Sequence, residues 1–452
     1  MKAFQFLLAS FIPVLSFFFL PFSQGRIQNN VYSPKFYLLL GFVLLVSLWK
    51  ISLNSQGVPL VSYFKILRLS RIVWLVISYF LWIVVSSAQS FMPGYAWLGS
   101  NDLQVGSLFL ILCYITAILY LSAIEMNWLI RSLAFTTGAM AIIALLEAIG
   151  FRPLWTWIHS DHMIFPAATV GHRQHLGGWF AIMSLAPVYF YRNRVKDRWF
   201  WLWLTSSLLG LSLATTSAAT LGVGVGLLLW LATDGKRGRW QLPLIVFAAF
   251  TVGIFAVPRV VTLTSQMIGL TPPVFKDYGS AYTLKARKLL WKSAWNAALE
   301  RPFFGWGDET FAYQVFEHLS PDDARNLFRY ELNLSPDAQV SYGGFTYYVD
   351  DDEKNIHSTG SILYHRAHNI IMDELYSHGF TGLSLFLVII FSLSWKIYRT
   401  SGDFWLITAC LLPYAIYLLA WFYVPTVTPL YFILAGIVLA NRTKLSRPKE
   451  VV

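Results

Sequence analysis

Long apolar runs recur along most of this chain, and they constrain its fold more than any other feature of the sequence. Many of them reach about 18–24 residues, the length at which a helix crosses the hydrocarbon core of a bilayer. Only 13% of all residues are charged, whereas a soluble domain carries about a quarter. We therefore expect an all-α polytopic membrane protein.

The apolar runs predict about twelve transmembrane helices. The predicted spans lie near residues 3–21, 36–53, 71–91, 104–124, 127–149, 175–191, 199–214, 217–233, 242–259, 370–395, 403–422 and 426–440. Residues 1–259 would then hold nine helices, residues 260–369 one large loop, and residues 370–452 three helices and a basic tail. The run after Lys2 resembles a signal sequence, but no convincing cleavage site follows it, so we interpret it as the first span.

Basic residues predict how these helices are oriented. Most Lys and Arg residues of the short loops follow predicted spans two, six, eight, ten and twelve, and the loops between them carry few. Because short cytoplasmic loops are enriched in Lys and Arg, we expect both termini in the cytoplasm. The net charge of +11 then reflects membrane topology and contact with membrane lipids, not a nucleic-acid partner.

The same orientation places residues 260–369 on the outer side of the membrane. This segment has mixed charge and many aromatic residues, so it is the part of the chain able to build a domain in water. It opens with a predicted amphipathic helix at about 283–300, and its middle, from Ser335 to Gly360, is interpreted as turn-rich. A long ordered loop on a helix bundle is usually functional.

The first candidate for chemistry is His368, at the junction of this loop with predicted span ten. On a helix turning 100° per residue, His368 shares one stripe with Met372, Leu375, Gly379 and Gly382. Small residues let helices approach closely in membranes, and a neutral imidazole can accept a proton from a hydroxyl. The alternative is an interfacial histidine that caps a well-packed span.

The second candidate is the predicted loop helix. Arg287, Trp291 and Trp295 share one of its faces, and further positive charge comes from Lys285, Lys288 and Lys292. Guanidinium and ammonium groups suit a pyrophosphate, and tryptophans suit sugar rings or lipid headgroups. The alternative is a basic amphipathic helix that lies on anionic lipid.

Other polar clusters carry weaker signals. A metal ion needs three or four converging ligands, and we do not expect one at the paired histidines of the loop before predicted span six, which are His159, His162, His172 and His175. Arg173, in the same loop, could instead reach a phosphate.

Two acidic clusters allow alternative interpretations. The run from Asp350 to Glu353 fits a solvated turn better than a cation site. Asp373 and Glu374 lie just inside predicted span ten, where buried acids are costly and often functional, although hydration near the interface is the alternative.

Three motifs resemble those of the superfamily of O-antigen ligases, Wzy-type polymerases and protein O-oligosaccharyltransferases. They are His368-Asn369-x₉-Gly379-x₂-Gly382-Leu383, Arg287-x₃-Trp291-x₃-Trp295 followed by Pro302-x₂-Gly305-x-Gly307-x₃-Phe311, and Thr169-x-Gly171-His172-Arg173-x-His175-Leu176. The plan of about twelve spans with one large outer loop also resembles this superfamily, and it implies a GT-C-like architecture.

The resemblance implies an inverting, metal-independent membrane glycosyltransferase in the bacterial inner membrane, without a cofactor. It would move a glycan from undecaprenyl pyrophosphate to an acceptor hydroxyl at the periplasmic face. His368 is then expected to be the catalytic base, and Arg287 to hold the donor pyrophosphate. We expect further substrate contacts from Arg173, Arg259, Trp291, Arg366 and Asn369.

One position departs from the family pattern. Many members carry a Ser-Arg pair where this chain reads Ser217-Ala218. Arg173 or Arg259 could replace that arginine, the activity could be altered, or the alignment could be shifted.

Three functions fit the sequence to different degrees. Ligation to a lipid A-core or other surface acceptor is favoured, and a polysaccharide polymerase is the alternative within the same class. A bicarbonate-type transporter is the alternative from another class. A transporter should place charges near the middle of its spans, whereas these spans are nearly free of charge there, apart from Glu147 close to one end.

Overall fold

The computed structural model describes residues 2–20, 31–55, 70–101, 103–121, 126–151, 166–191, 197–236, 238–270, 281–400 and 403–445. Apolar helices form the larger part of it. They are α1 (Lys2–Phe17), α2 (Ser33–Ser55), α3 (Ser70–Ala88), α4 (Pro93–Leu98), α5 (Ser107–Leu121), α6 (Met126–Ala148), α7 (Arg173–Ser184), α8 (Ala186–Tyr191), α9 (Arg198–Ala214), α10 (Ser217–Gly235) and α11 (Gln241–Met267). Three more follow at the C-terminal side, α15 (Ile370–Thr400), α16 (Phe404–Leu418) and α17 (Thr428–Leu445).

Helices occupy the positions of all the predicted spans. Four of them are long and apolar enough to cross a membrane, namely Met126–Ala148, Ser217–Gly235, Gln241–Met267 and Ile370–Arg399, and several shorter apolar helices accompany them. The prediction of a helical membrane protein is therefore confirmed. The number of spans stays a prediction.

Glycines set the closest helix contacts in this bundle. Gly222 and Gly226 of α10 lie against the backbone of α16, where a side chain at either position would collide with the carbonyl of Pro413 or with Leu185. Gly436 of α17 contacts Ala117 of α5 in the same way. Small residues at such crossings allow the backbone approach that stabilises helix pairs in membranes.

The segment from residue 281 to 369, called here the loop domain, has a hydrophobic core of its own. It contains α12 (Ala281–Glu300), α13 (Phe311–Gln314) and α14 (Pro321–Glu331), followed by β1 (Gln339–Gly343), β2 (Thr346–Asp351) and β3 (Ile356–Ser361). The predicted helix at about 283–300 is confirmed as α12. Its buried stripe has helical spacing and consists of Ala286, Leu290, Ala294 and Ala297.

The turn-rich interpretation of residues 335–360 is wrong, and the mainly helical fold holds one small sheet. These residues form an antiparallel sheet in the order β1-β2-β3, with Val340 opposite Val349 and Tyr342 opposite Tyr347. Both valines are buried, and both tyrosines pack on Phe328 of α14. The alternation that marks a strand is confined here to one to three apolar residues in each strand, among many turn-forming residues.

Helix α15 is broken at Gly379, which has a φ of 68°. The segment 302–307 pairs with the break: Phe380 N donates to Pro302 O (2.8 Å), and Trp306 N donates to Tyr376 O (2.9 Å). A Cβ at Gly379 would collide with the carbonyl of Phe303. The break therefore docks the loop domain onto the helix that follows His368, and only glycine fits both the dihedral angle and the contact.

Candidate functional site

His368 lies just before α15 and not within it. Its φ of 58° is left-handed, and the helix begins at Ile370. The predicted helical stripe from His368 to Gly382 is therefore wrong, because the helix starts after the histidine and is broken at Gly379. Gly379 serves the contact with segment 302–307 described above, and Gly382 lies against His378 and Trp82.

Asn369 fixes the start of α15. Its Oδ1 accepts hydrogen bonds from Ile371 N (2.9 Å) and Met372 N (3.3 Å), which is the geometry of a helix N-cap. Its Nδ2 donates to Leu419 O (3.0 Å) at the end of α16. Asn369 was expected to bind substrate; the structure places its amide in these three hydrogen bonds, which tie His368 to the turn after α16.

That turn carries two aromatic side chains that pack on His368. The imidazole centroid lies 4.9 Å from the Trp421 ring and 5.0 Å from the Phe422 ring. His368 Nδ1 lies 3.0 Å from Arg366 O. A carbonyl oxygen only accepts, so Nδ1 carries the hydrogen and Nε2 keeps a lone pair.

Arg287 contacts the same aromatic residue. Its Cζ lies 5.5 Å from the Trp421 ring centroid, within the range of a cation–π contact. The indole Nε1 of Trp421 is buried and has no hydrogen-bond partner among the described residues. Sequence reasoning missed Trp421, because a tryptophan between two apolar spans is typical of any membrane interface.

The environment keeps His368 neutral. Burial lowers the pKa of His368 to about 3, and the positive charge of Arg287 acts in the same direction. Burial also lowers the pKa of Arg287, while the nearby Glu331 carboxylate opposes that shift. The candidate base is thus available unprotonated beside a permanent positive charge.

Two further histidines complete the cluster, and both belong to the motif from Thr169 to Leu176. The ring centroids of His172 and His175 lie 6.1 Å and 5.7 Å from that of Trp421. His172 is the N-cap of α7, and its Nδ1 accepts from Gln174 N (3.2 Å). His175 Nδ1 lies 3.3 Å from Tyr417 Oη. Their spacing of three residues, one helical turn, was the signal that both would face one place.

Arg173, the first residue of α7, contacts the turn between α9 and α10. Its Nη1 is 3.5 Å from Thr215 Oγ1, and its carbonyl accepts from Thr216 Oγ1 (3.4 Å). This turn directly precedes Ala218, the position at which the family pattern has arginine. Arg173 is therefore placed beside the position of the absent side chain.

The side chains of the other predicted substrate-binding residues make different contacts. Arg366 is buried and paired with Asp308 (3.0 Å). Trp291 packs against the core of the loop domain, and its buried Nε1 has no partner among the described residues. Arg259 is exposed on α11, and no contact described for it joins it to His368 or Arg287.

The remaining candidates from the sequence are the other two paired histidines and the two acidic clusters. His159 and His162 lie outside the described residues. Among the described residues, Asp350, Asp352 and His357 bring three possible metal-ligand atoms within 4.8 Å of one another, in a largely exposed hairpin. Hydration as an explanation of Asp373 and Glu374 is wrong, because both are buried and hydrogen-bonded, Asp373 to Ala367 N (2.6 Å) and Glu374 to Tyr79 Oη (2.8 Å).

A comparison with protein families adds to this geometry. Residues 200–387 match the family model described as O-antigen ligase. The matched segment contains Arg287, Arg366 and His368, whereas His172 and Trp421 lie outside it. No curated protein matches the chain.

Proposed function

We propose that this chain, whose residues 200–387 match the family model described as O-antigen ligase, moves a glycan from undecaprenyl pyrophosphate to an acceptor hydroxyl. The favoured reaction is ligation to a lipid A-core or another surface acceptor. We propose that it takes place at the periplasmic face of the bacterial inner membrane, and the distribution of basic residues supports this orientation of the loop domain.

One observation carries this proposal. Trp421 has the imidazole of His368 at 4.9 Å and the guanidinium of Arg287 at 5.5 Å from its ring. A neutral proton acceptor and a permanent cation therefore lie around one aromatic side chain. That combination suits the transfer of a sugar from a pyrophosphate, in which one group must lose a proton while another gains negative charge.

The reaction needs one displacement. The acceptor hydroxyl gives its proton to His368 Nε2 while its oxygen bonds to the anomeric carbon of the donor sugar. The bond from that carbon to the pyrophosphate oxygen breaks, and the electron pair leaves with the carrier pyrophosphate. Attack from the side opposite the leaving group inverts the anomeric centre.

Positive charge supports the leaving group. Arg287 can bind two pyrophosphate oxygens at once through its planar guanidinium, and its partial burial strengthens that attraction. The unpartnered Trp421 Nε1 offers one more donor for a substrate oxygen. In this proposal the chain's own side chains supply the base and the charge, without a cofactor.

A polymerase of the same family would use the same base and cation, so the acceptor decides between the two reactions. The test uses a host strain that lacks this protein and examines its carrier-linked glycans. Long carrier-linked chains support ligation, whereas single repeat units point to polymerisation. Complementation with His357→Ala and Arg325→Ala should restore wild-type glycan, because both side chains are exposed and pair with acids of the loop domain, Asp350 and Asp322.

A further inference from the structure

A chain of buried polar side chains lies next to His368. It consists of Tyr79, Glu374, His378, Asp308 and Arg366, and each is at most 5% exposed. Tyr79 Oη donates to Glu374 Oε2 (2.8 Å), and the same carboxylate lies 3.0 Å from His378 Nδ1. His378 Nε2 lies 3.3 Å from Asp308 Oδ2, and Asp308 Oδ1 accepts from Arg366 Nη1 (3.0 Å). These five side chains thus connect α3 with the loop that carries His368.

The charges within this set of five buried side chains are balanced. His378 has a carboxylate oxygen within 3.3 Å of each ring nitrogen, and a lone pair facing a carboxylate would be repelled, so both nitrogens carry hydrogen. The imidazolium and the Arg366 guanidinium then match the carboxylates of Asp308 and Glu374. Ser107 Oγ also donates to Asp308 Oδ2 (2.9 Å). Buried charges are tolerated when they are paired and hydrogen-bonded in this manner.

Hydrogen bonds from this set and from the neighbouring Asp373 hold three consecutive residues of the His368 loop. The guanidinium of Arg366 binds Asp308 and also donates to Val105 O. Ala367 N donates to Asp373 Oδ1 (2.6 Å). His368 Nδ1 donates to Arg366 O (3.0 Å). The left-handed φ of His368 is a conformation that persists only where the surroundings determine it.

We propose that Asp308, His378 and Arg366 are positioning residues for the transfer reaction: they hold the Arg366 carbonyl in the place where it fixes Nδ1–H of His368 and leaves Nε2 as the proton acceptor. This inference rests on the proposed function. None of the three needs to touch substrate. They act through the orientation and the tautomer of one imidazole, as partners behind a functional histidine do in other sites.

The test is a double-mutant cycle with His368. In purified, detergent-solubilised protein, Asp308→Asn should lower kcat by about 10²-fold, the order expected for a misplaced reacting group. The KM for the carrier-linked donor should change by less than about twofold. In a His368→Gln background, the same Asp308→Asn change should alter the residual rate by less than about twofold, because both changes remove one function.

Controls separate positioning from folding. Asp322→Asn, an exposed acid paired with Arg325, should leave kcat and KM unchanged. Arg366→Lys keeps the charge opposite Asp308 but cannot also reach Val105 O, so this gentler variant should fold and lose about tenfold in kcat. It replaces Asp308→Asn in the cycle if that variant does not give folded protein.

Three outcomes would overturn either the positioning role or the proposed function. Equal losses from Asp308→Asn or Arg366→Lys in the wild-type and His368→Gln backgrounds overturn the inference, since the residues would then act independently of His368. If Asp308→Asn and Arg366→Lys both keep the wild-type kcat while the His368→Gln enzyme is slow, the positioning role is overturned and the proposed function is not. A His368→Gln enzyme with wild-type transfer overturns the proposed function itself.

Discussion

The imidazole of His368 lies 4.9 Å from the indole of Trp421, and the two ring planes are tilted by 39°. The guanidinium of Arg287 contacts the same indole. Through these two contacts, the loop domain and the segment before α15 both pack on Trp421, in the turn after α16. This arrangement predicts that Trp421 matters for transfer although it lies outside the matched family segment.

Substitution of Trp421 should separate its two contributions. Trp421→Phe keeps an aromatic face for His368 and Arg287 but removes the unpartnered Nε1–H, so kcat/KM should fall by about tenfold, the value of one hydrogen bond. Trp421→Ala should cost about 10²-fold or more, since both neighbours lose their support. Steady-state transfer by purified protein measures both. Trp201→Ala, at an exposed tryptophan of α9, is the matched control, and equal rates for Trp421→Ala and this control would contradict the prediction.

The pH dependence should reflect a neutral His368. Burial and the charge of Arg287 lower its pKa well below the ordinary value of about 6.5. The proton acceptor therefore stays available as pH falls, and kcat/KM should change by less than about twofold between pH 7.5 and pH 5.5. Arg287→Gln removes the nearby charge, so the acid limb of the profile should move to higher pH. A tenfold loss per pH unit below about 6.5 in the wild-type enzyme would contradict this assignment.

The lowered pKa of His368 also determines how the stability of the fold depends on pH. The unfolded chain binds a proton at His368 that the folded site rejects. The stability contributed by the neutral imidazole is therefore complete above pH about 6.5 and is lost as pH falls towards the folded-state pKa of about 3. His172, whose pKa is lowered to about 4 by burial and by Arg173, contributes with the same sign.

The break in α15 should depend on glycine at position 379. Gly379→Ala adds a Cβ that collides with the Phe303 carbonyl at a φ of 68°, so we expect a loss of unfolding free energy of about 3 kcal/mol or more. Gly344→Ala is a matched control, because its φ is 60° but no atom lies within 4 Å of the new Cβ. It should cost about 1–2 kcal/mol. Equal melting temperatures for the two variants in detergent would show that the contact with segment 302–307 is not what requires glycine.

Arginines near the site should differ in importance. Arg173 contacts the turn before α10, beside the position at which the family pattern has arginine, so Arg173→Ala should raise the KM for the carrier-linked donor by about tenfold. Arg259 is exposed on α11, and Arg259→Ala should stay within about twofold of wild type. Titration of donor against both variants measures this difference. The reverse order would indicate that Arg259 replaces the absent arginine.

The helices could be predicted from sequence because their signal is local. Apolar runs placed every predicted span on a helix, and the amphipathic pattern at about 283–300 predicted α12. The strands β1 to β3 could not be predicted in the same way, because each holds only a few apolar residues whose partners lie in another strand.

The candidate site could be predicted only in part for a similar reason. His368 and Arg287 stood out by their motifs, and the structure brings both to Trp421. The break at Gly379 depends on hydrogen bonds to residues more than 70 positions earlier, such as Pro302, so a helical wheel through His368 could not reveal it. The pairing of Arg366 with Asp308 likewise joins residues 58 positions apart, and Arg366 was therefore interpreted as a substrate-binding residue.

The most direct measurement of the central claim is the release of undecaprenyl pyrophosphate from a carrier-linked glycan donor, by purified protein in the presence of an acceptor. The wild-type protein and the controls His357→Ala and Arg325→Ala should release the carrier at equal rates. His368→Ala should reduce the rate by at least about 10²-fold, and Arg287→Ala by a similar factor. Wild-type release by both His368→Ala and Arg287→Ala, in folded protein at equal concentration, would contradict the account.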